Sequence, residues 1–149
     1  MQVAITGSNG FIGKNLRIKL AERNIKFCTI LHTESVSKIR NKIKESDFLI
    51  HLAGVNRPES NLEFKSGNEN FTKDICTIIK ELKSNISIIF SSSIQVENEN
   101  NYGVSKMNCE KLLLDLNNTN KNNIFIYRLT NVFGKWGRPN YNSVVATFC

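Results

Sequence analysis

Residues 1–13 read MQVAITGSNGFIG, a short apolar, β-branched run at 3–6 followed by Gly7, Gly10 and Gly13 at intervals of three. The next stretch, Phe11 to Glu22, carries Phe11, Ile12, Leu16, Leu20 and Ala21 at the spacing that gathers apolar side chains on one helix face. Strand, glycine turn and helix are therefore expected in that order. Glycine is costly in ordered backbone, so three of them within seven residues require a local reason.

Outward from this turn, strands and helices alternate. Residues 27–31 read as a second strand, and Val36, Ile39 and Ile43 mark one apolar face of a short helix. FLIHLAG, residues 48–54, is a near-continuous apolar run closed by glycine, the pattern of a strand covered on both faces. Phe71, Ile75, Ile78, Ile79 and Leu82 lie on a further helix, ISIIFSSS at 86–93 reads as a buried strand, and residues 102–116 as a helix. The polar stretch 117–123 is expected to be a loop, IFIYRLT at 124–130 a fifth strand, and YNSVVATFC the opening of a helix with Asn142 or Ser143 as cap. The expected fold class is α/β: a Rossmann-like doubly wound parallel sheet with helices on both faces, in one domain over residues 1–149.

The chain has 149 residues, 40% of them hydrophobic, enough for one proper core. No apolar run approaches the roughly 20 residues that span a bilayer, and no leader pattern opens the chain, so a cytoplasmic protein without a membrane partner is expected. The net charge of +7 comes from scattered lysines with no basic run interleaved with aromatics, which argues against a nucleic-acid partner. Cys28, Cys76, Cys109 and Cys149 are widely spaced, so reduced thiols are expected and no metal site is indicated.

In a doubly wound sheet the turn after the first strand is where a dinucleotide pyrophosphate meets a helix N-terminus, whose free N–H groups and positive dipole end favour anions. That supplies a reason for the glycines, although the spacing is GxxGxxG rather than GxGxxG and a purely structural turn is the alternative. The end of the second strand selects between NAD and NADP, because an acid there holds the ribose 2′-hydroxyl. Here Leu31, His32 and Thr33 occupy the position and Glu34 comes late, so NADP (as NADPH) is expected, with NAD as the alternative. His32, Lys38 and Arg40 could face a 2′-phosphate or be solvated surface.

YGVSK places Tyr102 and Lys106 four apart, on one face of a helix. An ammonium beside a phenol lowers its pKa from about 10, which suits proton exchange with an alcohol or carbonyl. His51, inside an apolar strand, reads as a hydrogen-bonded structural histidine.

Taken in order, TGSNGFIG, DFLIHLAG, IIFSSS, YGVSK and YRLTNVFGKWG resemble the extended short-chain dehydrogenase/reductases, the NAD-dependent epimerase/dehydratase group that acts on nucleotide sugars. HLAGVNRPE and FGKWGRPNYNSVVATFC are narrower and resemble the bifunctional capsular polysaccharide-synthesis enzymes of the CapF type. Those join a reductase domain to a zinc cupin and act on a UDP-linked 4-keto-6-deoxy-N-acetylhexosamine, toward UDP-N-acetyl-L-fucosamine. The resemblance implies a catalytic Ser93, Tyr102 and Lys106, with Tyr102 as acid and Lys106 as its tuner and ribose ligand. It implies a dinucleotide held by Gly7, Gly10, Phe11, Ile12, Gly13, His32, Leu52, Ala53, Gly54 and Arg57, together with Tyr102 and Lys106. The sugar nucleotide would meet Asn68, Ser93, Arg128 and Asn131, although Arg128 as a structural ion-pair partner and Ser91 and Ser92 as backbone caps are open alternatives.

Sugar dehydratases of this group carry an acidic pair just after the catalytic hydroxyl, where this chain has Ile94 and Gln95. Neither can transfer protons as a general acid or base, so a reductase is expected first and a nucleotide-sugar 4-epimerase second; a non-catalytic nucleotide-binding or sensor protein is the alternative of another class. The resemblance also implies a substrate lobe and a cupin beyond residue 149, so the segment alone is expected to bind nucleotide weakly and turn over no sugar nucleotide. A homodimer is one expectation for the full-length protein.

Overall fold

In the computed structural model, which describes residues 1–56, 60, 62–137, 139–140 and 144–148, five strands pair in parallel in the order β2-β1-β3-β4-β5. They are β1 (Gln2–Thr6), β2 (Lys26–Ile30), β3 (Phe48–His51), β4 (Ser87–Ser93) and β5 (Ile124–Leu129). The helices are α1 (Phe11–Glu22), α2 (Val36–Lys44), α3 (Leu62–Phe64), α4 (Phe71–Leu82), α5 (Asn101–Asn120) and α6 (Val144–Phe148). A π-helical segment, Lys65–Asn70, runs from α3 into α4, and a 3₁₀ turn, Ile94–Glu97, follows β4.

Alternation along the strands divides the core between two faces. Ala4, Leu49, Ile88 and Phe90 point toward Ile39 and Ile43 of α2, Ile75 and Ile79 of α4, and Leu113 and Leu116 of α5. Val3 and Ile5 point the other way, onto Leu16 and Leu20 of α1, with Phe27, Phe48 and Ile50 beside them. Ile124 and Ile126 of β5 join the first cluster, while Phe125 and Tyr127, which alternate with them, are about half exposed on the second face. After β2 the chain returns across β1 to form β3, which makes the carboxyl ends of β1 and β3 the switch point where a crevice opens.

Several boundaries differ from the sequence expectation. β3 stops at His51 because Leu52 and Ala53 turn to bond Thr6, through its carbonyl at 3.3 Å and its Oγ1 at 3.1 Å. Helix α5 continues to Asn120 through half of the expected loop, and three asparagines then close its end. Asn122 is fully buried and donates from Nδ2 to the carbonyls of Ser84 and Ile86, both at 2.8 Å. Asn120 donates to the Ser84 carbonyl and Asn117 to the Asn122 carbonyl, at 3.0 and 2.6 Å. These amides satisfy backbone groups at the start of β4 that a plain loop would leave bare. The α3 and π-helical segments were not anticipated. Arg57, Asn142, Ser143 and Cys149 lie outside the described residues. No helix among the described residues is long and apolar enough to cross a membrane.

His51 is 1% exposed and joins three elements: its Nδ1 lies 2.6 Å from Thr6 Oγ1 and its Nε2 2.9 Å from Thr72 Oγ1. Burial, with a smaller contribution from the Lys106 charge, pushes the imidazole pKa down to about 3 from 6.5. The unfolded chain therefore binds a proton that the folded one refuses, and stability present above pH 6.5 is lost as pH falls toward 3. Between pH 6.5 and 5.5, above the carboxylate range, unfolding free energy should fall by up to about 1 kcal/mol, and His51→Gln should abolish that slope in equilibrium denaturation.

Candidate active site

The three glycines of the turn have different surroundings. Gly7 has φ +66°, and a Cβ there would stand 2.6 Å from the Ala53 nitrogen and the Leu52 carbonyl carbon. A Cβ on Gly13 would come within 2.3 Å of the Gly7 carbonyl oxygen, so its absence lets α1 pack onto the turn. Gly10 is open by contrast: among the described residues, the one near neighbour of a Cβ there would be the Gly7 oxygen, at 3.2 Å. The first turn of α1 holds no acid, Gly10 caps it without a side chain, and Ser8 Oγ is buried with no hydrogen-bond partner among the described residues. Free amides, a dipole end, an open glycine and an orphaned hydroxyl together fit an anionic diphosphate.

A crevice of about 1150 Å³ opens at the carboxyl ends of the strands. It is lined by Gly7, Gly10, Phe11, Ile12 and Gly13 of the glycine turn, by Leu52 and Gly54 after β3, and by Ser93, Tyr102 and Lys106, with Asn131 and Trp136 also on its surface. Ala53 and His32 line a smaller cavity of about 310 Å³ on the other side of the glycine turn, together with Leu31 and Phe71.

Ser93 ends β4, and its Oγ accepts the Gln95 backbone N–H at 3.2 Å, capping the 3₁₀ turn. Helix α5 starts beside it: Asn100 Oδ1 accepts the Gly103 N–H at 2.8 Å, and Gly103 packs so closely that a Cβ would lie 1.9 Å from the Gln95 carbonyl oxygen. Tyr102, half-buried and 6.0 Å in ring centroid from Phe64, thereby lines the crevice together with Ser93. The Asn100 cap was legible as an asparagine before a helical run, yet went unread.

The expectation that Lys106 lowers the phenol pKa is corrected. Burial raises the Tyr102 pKa above its ordinary value, and the Ser93 hydroxyl only partly opposes this. The Lys106 ammonium is directed elsewhere, donating to the Ser91 carbonyl at 2.9 Å and lying 4.7 Å from the Phe90 ring centroid. Lys106 is 4% exposed, and burial pushes its own pKa down to about 8.

Two residues assigned to the sugar are otherwise engaged. Asn68 is buried on the π-helical segment, where Oδ1 accepts the Val55 N–H at 2.6 Å and Nδ2 donates to the Val55 carbonyl and to Ser105 Oγ. It shapes the chain after β3 and clamps it to α5. Arg128 forms a fork on Glu110, at 3.1 Å from Nε and 2.8 Å from Nη2, away from the crevice wall. Ser91 Oγ donates to the His51 carbonyl at 3.3 Å and Ser92 Oγ to Glu110, so neither hydroxyl is free for substrate. Near His32, Glu34 is held by Lys42 at 2.6 and 2.7 Å, and Arg40 is paired with Glu81 rather than with any 2′-phosphate position.

Residues 3–149 match the NAD dependent epimerase/dehydratase family. The chain is 47% identical over 150 residues to the UDP-2-acetamido-2,6-beta-L-arabino-hexul-4-ose reductase of Pseudomonas aeruginosa, which covers 100% of this chain and 40% of that protein. It superposes with TM-score 0.83 at 40% identity on the capsular polysaccharide assembling protein CapF from Staphylococcus aureus, covering 100% of this chain and 41% of that one. The UDP-glucuronic acid 4-epimerase from Bacillus cereus, in complex with NAD, shares the fold at TM-score 0.80 and 19% identity, over 95% of this chain and 60% of its own. The chain thus spans about two fifths of the length of the first two relatives. A parallel sheet with its glycine turn and a crevice lined by Ser93, Tyr102 and Lys106 agree with the match, and the chain belongs to the NAD dependent epimerase/dehydratase family.

Proposed function

We propose that this chain is the dinucleotide-binding and catalytic segment of an NADPH-dependent reductase. Its substrate is a UDP-linked 4-keto-6-deoxy-N-acetylhexosamine in capsular or O-antigen precursor synthesis, on the UDP-N-acetyl-L-fucosamine route. The observation that carries the reading is that Ser93 and Tyr102 line the same crevice as the open Gly10 of the glycine turn, with Lys106 beside them. Reduction needs a proton donor at the carbonyl oxygen, and the protonated Tyr102 phenol in the crevice can supply it.

Gly7, Gly10, Phe11, Ile12 and Gly13 would hold the diphosphate, Leu52, Ala53 and Gly54 would line the dinucleotide's path, and Lys106 would meet its ribose. When bound, the dinucleotide supplies the hydride. Ser93 Oγ orients the C4 carbonyl oxygen, and Tyr102 Oη gives its proton to the alkoxide as charge develops there, leaving a phenolate beside the Ser93 hydroxyl. Asn131 lines the crevice where the sugar would lie. Ile94 and Gln95 carry no titrating group, and Gln95 Oε1 already accepts from Asn98 and Asn100 at 2.8 and 2.9 Å, which supports reduction over dehydration. NADPH is favoured because no acid stands at residues 31–33 and the Glu34 carboxylate is engaged by Lys42.

In the complete protein, Tyr102→Phe should lower kcat by roughly 10²–10⁴-fold while leaving dinucleotide affinity nearly unchanged. An unaltered turnover would remove the phenol from the mechanism, and an absence of any turnover in the parent would favour a sensor. Gly10→Val should abolish the dinucleotide-induced rise in Tm with little change in the ligand-free Tm, whereas Gly7→Ala should lower the ligand-free Tm, since its added Cβ meets backbone. For cofactor choice, kcat/KM should be higher with NADPH than with NADH; the reverse order would point to a Glu34 released from Lys42.

A further inference from the structure

Helix α5 carries Tyr102 and Lys106, yet its two halves are held by different forces. The C-terminal half buries Leu113 and Leu116 in the core. The N-terminal half buries Gly103, Ser105, Lys106 and Glu110, with Cys109 as its one apolar contribution. Placement of the phenol therefore rests on polar contacts, and one of them reaches further than the rest. Glu110, 3% exposed, lies one turn beyond Lys106 and accepts from Ser92 Oγ on β4 and from the Arg128 fork on β5. Arg128 Nη1 lies 3.5 Å from Glu97 Oε1, at the end of the 3₁₀ turn that Ser93 caps. One carboxylate thus ties α5 to β4, β5 and the 3₁₀ turn around Ser93. Burial opposes its charge, but the bonds from Arg128 and Ser92 outweigh this and hold the carboxyl below the usual range. A buried charge with strong partners loses much when either is removed, and the loss falls on whatever geometry the pair enforced.

We propose that Glu110, acting through Ser92 and Arg128, is a positioning residue that sets Tyr102 and Lys106 against Ser93. Its effect on catalysis rests on the reductase reading, whereas its effect on the helix does not. The complete protein should be compared with Glu110→Gln, Arg128→Met and the double variant, by hydrogen exchange and by steady-state reduction of the 4-keto sugar nucleotide. Amides of residues 101–109 should exchange about tenfold faster while those of 113–120 keep their protection. The value of kcat should fall at least about tenfold with both KM values within about twofold, and the double variant should lose no more than the worse single one. Unchanged exchange over 101–109, or a lower Tm with unchanged kcat, overturns the proposal and leaves a stabilising ion pair only. If Glu110→Gln does not fold, Arg128→Met on the half-exposed partner decides by the same criteria. Should the parent protein reduce no sugar nucleotide, the reductase reading fails while the exchange comparison still decides the positioning role.

Discussion

The contact on which the crevice depends is that between the Gly7 backbone and the chain leaving β3 at Leu52 and Ala53. Two segments of main chain approach there more closely than any side chain allows. Thr6, immediately before the turn, bonds both residues and the His51 ring, and His51 passes the connection to Thr72 on α4. β1 and β3 pair in parallel up to their last residues, Thr6 and His51. The buried Thr6–His51–Thr72 chain ties those ends to α4, and the position of α1's free amides follows from that link.

Around Tyr102 and Lys106 the constraints are polar for a different reason. The catalytic half of α5 buries Cys109 as its one apolar residue, so little apolar bulk secures it. Gly103 against Gln95, Ser105 with Asn68, Lys106 with Ser91 and Glu110 with Arg128 do that work between them. Burying the Lys106 ammonium costs on the order of 3 kcal/mol, taken from its pKa of about 8 against 10.5. The ammonium is held there by the Ser91 carbonyl and lies over the face of Phe90. Such a residue is retained where its charge serves the site better than it serves stability.

Much of the architecture was legible in the sequence because it depends on local periodicity. Helix faces at 3.6-residue spacing, strand runs bounded by glycine, and three glycines between a strand and a helix are statements about neighbouring residues, and each held to within a few positions. Tyr102 and Lys106 share a helix face for the same reason, and Ser93 ends its strand where the serine run stops. The segment 62–70 escaped because a π-helix has no apolar period to betray it, and residues 117–123 misled because asparagines that cap backbone look like asparagines in a loop.

What the sequence by itself determined was the order of elements, the glycine turn and the identity of the groups along the crevice. Only the tertiary structure decided what each polar group faces. Arg128, a candidate substrate ligand by position, is turned onto Glu110 across two strands and a helix; Asn68 is turned onto Val55 and Ser105; and Lys106 is turned onto a carbonyl rather than the phenol. The sign of the Tyr102 shift followed from the same cause. Spacing along a helix places an ammonium near a phenol, but the depth of burial, set by every element that packs around them, determines whether its charge or the loss of water prevails.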